Sequence, residues 1–328
     1  MTDAVIVGDI HLSDRAPTSR RDSYAEEILA KVAWCSIFAN HPGPGQGALP
    51  LVLAGDVFHL KVPHRTSYRL VQRLHSILAT VARGVWIVPG NHDLTNGRLD
   101  SLAAQPLGAL CRMGNVHELD GHDSALPQIN GIPWHEAFDG GDWRSAVEAY
   151  IAQWQDDNCV PDLVVTHAPI FPVGKEPGVY PTIPASEWGG VMRDAGISAT
   201  YYGHIHEQHG SFVAGGHLFC NQGALSRGSI HEESVNRHPA ITDWNGSKCE
   251  FYDVPLPAEV VKPPSEVFLF EKAEEKKQAE SIVAAFQSAL GEVQLPVLTV
   301  EEVVSYIRKE GTSAAVVRVV EDALEKVM

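Results

Sequence analysis

Cysteine is scarce and odd in number: Cys35, Cys111, Cys159, Cys220 and Cys249 are the only five in 328 residues, and they are widely spaced. Such a set does not read as a disulfide framework, so reduced thiols in an intracellular protein are expected. Positive charge is also in short supply, with 25 Lys plus Arg against 41 Asp plus Glu and a formal charge of −16. Surfaces that meet phosphate backbones are usually basic, which argues against a nucleic-acid role unless a partner supplies the positive field. No apolar run approaches the roughly 20 residues needed to cross a bilayer. Met1-Thr2-Asp3 leads straight into a strand-like run with no signal-peptide pattern, so a cytoplasmic location away from membranes is expected.

What the chain does have is one pattern, five times over: a short apolar run that reads as a buried strand, followed at once by Asp, His or Asn. Ala4-Val5-Ile6-Val7 leads to Asp9 and His11, Leu51-Val52-Leu53-Ala54 to Asp56, and Val85-Trp86-Ile87-Val88 to Asn91 and His92. Leu163-Val164-Val165-Thr166 leads to His167, and Ala199-Thr200-Tyr201-Tyr202 to His204 and His206. In an open, largely parallel sheet, ligands bind beyond the carboxyl ends of the strands, so five strands delivering polar residues there describe one site. Carboxylate, amide oxygen and imidazole together suit a hard divalent cation such as manganese. Zinc or an iron–sulfur cluster would be expected to draw thiolates, and no cysteine is in the set. Asp9 and His11 are two residues apart, so an extended chain points both to one side, and His204 and His206 share that spacing. Asp56 stands alone and can lend one oxygen to each of two ions, which makes it the expected bridge of a two-metal centre.

Gly8-Asp9-Ile10-His11, Gly55-Asp56, Gly90-Asn91-His92-Asp93, Thr166-His167 and Gly203-His204-Ile205-His206, in that order, resemble the motif series of the calcineurin-like metallophosphoesterases. Within it, Gly55-Asp56-Val57-Phe58-His59 with Pro63 and Arg65 resembles the SbcD-type DNA nucleases, which pair with an SbcC-type ATPase. The resemblance implies an α/β fold, a four-layer sandwich of two mixed β-sheets flanked by helices, with a small helical C-terminal region. It implies Asp9, His11, Asp56 and His206 on one ion and Asp56, Asn91, His167 and His204 on the other. Manganese is the first choice, with iron, magnesium and zinc as the alternatives. His92 is left beside the metals to protonate the leaving oxygen or stabilise the transition state, and Asp93 is expected to orient it from behind. Two ions about 4 Å apart lower the pKa of a shared water and clamp both oxygens of an in-line displacement. The implied reaction is therefore attack of metal-activated hydroxide on a phosphodiester.

The match also gives His59 a part in placing the scissile phosphate, where the residue read alone is a loop histidine. Lys61, His64 and Arg65 are phosphate contacts or solvated surface. Arg227 closes a loop, Asn221 to Arg227, that the resemblance places against the substrate cleft, and is a phosphate contact or half of a structural ion pair.

Strand and helix alternate along the chain. Ser23-Tyr24-Ala25-Glu26 has the form of a capping box and opens a helix through about Phe38, with Ile28, Val32 and Ile37 inward. Residues 66–82 predict a second helix and 142–155 a third, whose Trp143, Tyr150 and Trp154 belong to the core. From Val213 to Val254, short strands with Gly-rich turns suit the second sheet of a sandwich. Pro-rich sequence from Pro255 to Pro264 marks a boundary between a catalytic domain, 1–257, and a helical C-terminal region, 258–328, that packs on the first or binds a partner.

Two functions stay open. One is a DNA nuclease subunit, whose expected partners are DNA, an SbcC-type ATPase and a second copy of the chain. The other is a stand-alone phosphatase or phosphodiesterase for small phosphorylated molecules or nucleotides, favoured by the acidic charge. A non-enzymatic scaffold would need a lost ligand, and none is lost.

Overall fold

The apolar runs form four-residue strands buried on both faces, as expected where a sheet is covered above and below. The structure, a computed structural model, describes residues 3–18, 20, 22–59, 65–119, 126–172, 181–228, 237–255 and 276. In the first sheet β1 (Ala4–Val7), β2 (Leu51–Ala54), β3 (Val85–Val88) and β4 (Val116–Glu118) run parallel. The second sheet begins with β5 (Ile129–Ile132) and β6 (Leu163–Thr166), followed by the small separate pair β7 (Ile170–Phe171) and β8 (Ile183–Pro184). It is completed by β9 (Ala199–Tyr202), β10 (Gly210–Ala214) and β11 (His217–Asn221), with only the edge strand β10 antiparallel. β12 (Ala240–Trp244) and β13 (Cys249–Asp253) then return to the first sheet, β12 antiparallel beside β1 and β13 antiparallel to β12 at the edge. The stretch read as one second sheet is therefore divided between both.

Alternation along each strand sorts the layers. Ala4, Ile6, Val52, Ala54, Trp86 and Val88 meet Ile129, Leu163, Val165, Ala199 and Tyr201 between the sheets. Val5, Val7, Leu51, Leu53, Val85 and Ile87 turn outward to the helices. Full burial of each such aliphatic side chain contributes about 2 kcal/mol. The result is an α/β sandwich of two mixed sheets with helices on its outer faces.

Among those helices, α1 (Tyr24–Asn40) starts where expected, but Ser23 makes no side-chain cap and Glu26 pairs with Arg73 instead of reaching back. Its buried stripe passes through Ile28, Val32, Cys35 and Ala39, while Ile37 is 61% exposed, because 35 and 39 continue the i, i+4 spacing and 37 does not. α2 (Tyr68–Leu78) is capped by Ser67, whose Oγ accepts from the Leu70 N–H at 3.2 Å. After α3 (Pro106–Arg112) and the single turn α4 (Ala137–Gly140) comes α5 (Trp143–Asp156), which buries Trp143 and Trp154 as core residues. α6 (Ala185–Asp194) covers the second sheet with Trp188 and Met192. Among the described residues no helix is long and apolar enough to cross a membrane.

The expectation of reduced thiols throughout is corrected: Cys220 on β11 and Cys249 on β13 form a disulfide, one cysteine from each sheet. They are 29 positions apart in sequence, so spacing alone could not pair them. Cys35, Cys111 and Cys159 are free. The chain divides into units at 1–262 and 263–328. Of the second, only Lys276 is described, so the helices expected over 258–328 lie outside the described residues.

Candidate metal centre

Five strand ends deliver the expected residues, three from the first sheet and two from the second rather than all from one open sheet. The loop after β1 is zipped to the loop after β2: Asp9 N–H donates to Gly55 O, His11 N–H to Asp56 O, Leu12 N–H to Val57 O, and His59 N–H to Leu12 O. From the other side, Leu225 N–H donates to Gly8 O and Ser226 N–H to Asp9 O. The ligand-bearing backbone is not extended as the two-residue spacing suggested. Asp9, His11, Asp56 and His204 have φ of 55°, 48°, 50° and 71°, a left-handed conformation uncommon outside glycine and found at functional sites. Two glycines of the motifs make room for the cluster. A Cβ on Gly55 would lie 2.1 Å from His167 Nδ1, and one on Gly90 2.3 Å from Asp56 Oδ1.

Asp9 Oδ1 lies 3.5 Å from His206 Nε2 and 3.9 Å from both His11 Nε2 and His167 Nε2. Asp56 Oδ2 lies 3.5 Å from His11 Nε2 and 3.3 Å from His167 Nε2. Both carboxylates thus face histidines of both expected ligand sets. His204 Nδ1 is 3.2 Å from Asn91 Oδ1, and the His204 N–H donates to both oxygens of Asp9.

These atoms fit divalent cations. His167 Nδ1 donates to the Ala54 carbonyl at 2.8 Å, which sets the tautomer and leaves the buried Nε2 with no hydrogen-bond partner, facing carboxylate oxygens. His11 Nε2 and His206 Nε2 are 2.9 Å apart. Acceptors gathered in this way repel unless a proton or a cation lies among them. Asp9, His11 and His206 form one group able to hold an ion and Asp9, Asp56 and His167 another, the offered atoms of each lying within 4.8 Å of one another. Oxygen with imidazole nitrogen suits manganese, iron, magnesium or zinc.

The electrostatics agree. Burial would raise Asp56, but His167, followed by His11 and His92, outweighs it and holds the carboxyl well below its usual range. Burial would lower His167, yet Asp56 and then Asp9 lift it to about 9. Burial pulls His11 well down and His204 to about 3. The carboxylates call for positive charge while two of the imidazoles resist carrying it, a division that metal cations resolve.

His92 lines the cleft next to this cluster. Its Nδ1 donates to the His59 carbonyl at 2.5 Å, its backbone N–H donates to Asp56 Oδ1 at 2.8 Å, and its ring stacks with His59 at 5.5 Å. The orienting group is thus the carbonyl of His59. Asp93, expected in that part, accepts instead from the backbone N–H groups of Val57, Phe58 and Gly90. Burial, then Asp56, raises Asp93 to about 7. His59 Nδ1 is 3.3 Å from His11 Nδ1, so this histidine belongs to the cluster. Arg65 is exposed and makes none of the contacts that join it, while Lys61 and His64 lie outside the described residues. Arg227 is buried, with φ 49°, and interacts with Arg20 and Glu27.

A cleft of about 200 Å³ opens beside the cluster, lined by His11, His59, His92 and His206 together with Pro17, Tyr24, Ser226 and Gly228. Ser226 comes from the loop expected against the cleft, whereas Pro17, Tyr24 and Gly228 were not anticipated. Nor was Trp134, whose ring lies 4.8 Å from that of His204 and 6.4 Å from that of His167. It follows β5, a strand whose Asn130 and Gly131 interrupt the apolar run that marked the other five.

A site of histidines and carboxylates at the tips of two stacked mixed sheets defines a metal-dependent phosphoesterase. Residues 3–208 match the model of the calcineurin-like phosphoesterase family, and the chain belongs to that family. A dimetal phosphatase from Danio rerio aligns with 77% of this chain and 99% of its own at 12% identity, with a TM-score of 0.50. The protein TT1561 of Thermus thermophilus covers the same shares at 12% identity and a TM-score of 0.49. At this identity the likeness concerns the fold alone. No curated protein matches.

Proposed function

We propose that the chain hydrolyses DNA phosphodiester bonds with two divalent ions, manganese first among them, as an SbcD-like nuclease subunit working beside an ATPase. The observation that carries this reading is His59, the residue particular to the nuclease resemblance, which stacks on His92, fixes it through its carbonyl and meets His11. The ions would be held by Asp9, His11, Asp56 and His206 and by Asn91, His167 and His204. When bound, they supply positive charge to the phosphoryl group and make water a stronger acid at neutral pH. The protein does the rest. With Nδ1–H committed to the His59 carbonyl, His92 in its imidazolium form would carry a second proton on Nε2, and that is the proton it would give to the leaving oxygen. His59 braces that ring from its stacked side, and Asp93 holds together the two loops that carry Asp56 and His92.

The −16 formal charge favours a second reading, a stand-alone phosphatase or phosphodiesterase for small phosphorylated molecules. End-labelled duplex and single-stranded DNA, assayed beside bis-p-nitrophenyl phosphate with manganese, magnesium or chelator, separate the two. Manganese-dependent shortening of DNA that His59→Ala slows by about tenfold or more is expected. Turnover of the small ester with DNA left intact moves the assignment to the second reading.

A further inference from the structure

The apolar run Leu218-Phe219-Cys220 on β11 ends, like the five strands of the metal cluster, in a polar residue, Asn221. Asn221 is 1% exposed and belongs to the strand paired with β9, beyond whose end lie His204 and His206. Its side chain is spent on backbone. Nδ2 donates to the Tyr202 carbonyl at 3.0 Å and to the Ile205 carbonyl at 3.2 Å. Oδ1 accepts from the backbone N–H of His209 and of Gly223, each at 3.1 Å. An asparagine amide offers two donors and two lone pairs, so these four bonds use all of it and leave no atom for a cation or a substrate.

The two carbonyls gripped by Nδ2 stand on either side of His204, whose φ of 71° is left-handed. A non-glycine residue keeps such a conformation only where its surroundings impose it. The turn after Asn221 continues the hold. Ala224 N–H donates to the His206 carbonyl at 3.1 Å, and the N–H groups of Leu225 and Ser226 donate to the carbonyls of Gly8 and Asp9, both at 3.2 Å. The fit is close: a Cβ on Gly223, at φ 72°, would stand 2.7 Å from that same His206 oxygen. The segment from Asn221 to Ser226 therefore ties a ligand loop of the second sheet to a ligand loop of the first, and Asn221 supplies the grip around the left-handed residue.

Resting on the reading of His204 and His206 as metal ligands, we propose that Asn221 is a positioning residue of the metal centre. Its amide fixes the backbone on both sides of His204. That sets where the two imidazoles stand, His204 against Asn91 Oδ1 and His206 against Asp9 Oδ1, and thereby how tightly the centre holds divalent ions. Asn221 acts through the loop alone. Groups that orient metal ligands from outside are worth about 10- to 100-fold in metal affinity.

The test compares two buried asparagines in the full chain. Asn130 on β5 is 2% exposed and donates through Nδ2 to the Cys159 carbonyl at 3.0 Å, a bond that joins no ligand-bearing loop. Asn221→Ser and Asn130→Ser each remove one interior amide, and both should lower the urea midpoint of the metal-free protein. Manganese titration read by electron paramagnetic resonance is expected to show binding about tenfold or more weaker in Asn221→Ser, and within about twofold of the wild type in Asn130→Ser. Wild-type affinity in a folded Asn221→Ser overturns the proposal, as does an equal loss in Asn130→Ser, which would make the effect one of general stability. Should Asn221→Ser fail to fold, Gly223→Ala decides, since its methyl presses on the His206 carbonyl; wild-type affinity there means that the seating of the loop does not govern the metal. A wild type that binds manganese but leaves bis-p-nitrophenyl phosphate intact strikes the phosphodiesterase reading, and the positioning role is then decided by the affinities. One that binds no manganese overturns both.

Discussion

Two groups of buried charge flank one cleft and are finished in opposite ways. Arg20, Asp22, Glu27 and Lys31 close on each other, each charged head meeting one of opposite sign, and both cations also reach a backbone carbonyl. Around Asp9 and Asp56, nitrogen faces nitrogen and His167 Nε2 faces carboxylates without a bond. The first group is closed on itself, and the second is short of positive charge. Burial and charge are common to both, so neither marks a reactive centre. What marks it is the partner that the protein's own atoms do not supply.

The comparison breaks most visibly at Asp56. Asp56→Ala is expected to lose bound metal and about a thousandfold or more of phosphodiester hydrolysis, measured by elemental analysis beside turnover. A variant that keeps both ions would place the bridge elsewhere. Next is His92→Ala, which should lower turnover by about a hundredfold or more while leaving the metal content intact; an unchanged rate removes His92 from the chemistry. On the self-balanced side, Glu27→Gln leaves Arg20 and Lys31 without their shared carboxylate and should cost about 3 kcal/mol in chemical denaturation, again with unchanged metal content. Metal loss in that variant would show that the two groups are not independent.

The smallest effect sharpens the contrast between satisfied and unsatisfied imidazoles. His217 bonds the Ile197 carbonyl through Nδ1 and Thr200 Oγ1 through Nε2, and burial lowers it to about 4. Its folded pKa lies below the unfolded value near 6.5, so between pH 6.5 and 4 the unfolded chain binds more protons and stability falls as pH falls. The loss attributable to this residue is about 2 kcal/mol. Urea midpoints at about pH 7 and pH 5 should differ less in His217→Gln than in the wild type, and equal differences would assign the pH dependence elsewhere.

The residues of the metal cluster were legible from the chain because the apolar runs and the polar residues after them obey simple rules of strand burial and crevice geometry. The backbone between them was not. Left-handed φ at Asp9 and His11 comes from the pairing of two loops, which no local spacing encodes. Asp93 resembles an orienting carboxylate in sequence, yet the loop after β2 turns its backbone N–H groups toward it first. Tyr24 and Ser226 lie far apart along the chain and meet only through the tertiary fold, and Trp134 was hidden by the polar Asn130 in its strand. Ile37 failed for a narrower reason: a position off the helical repeat is enough to face solvent.

The bond between Cys220 and Cys249 has a practical consequence. A protease that cuts the backbone once between these two positions separates the chain into pieces that remain one covalent molecule. A denaturing gel run without reductant would show such a preparation as a single species of unaltered mass, and only a thiol would reveal the nick. Purity judged under one condition alone would therefore be misjudged.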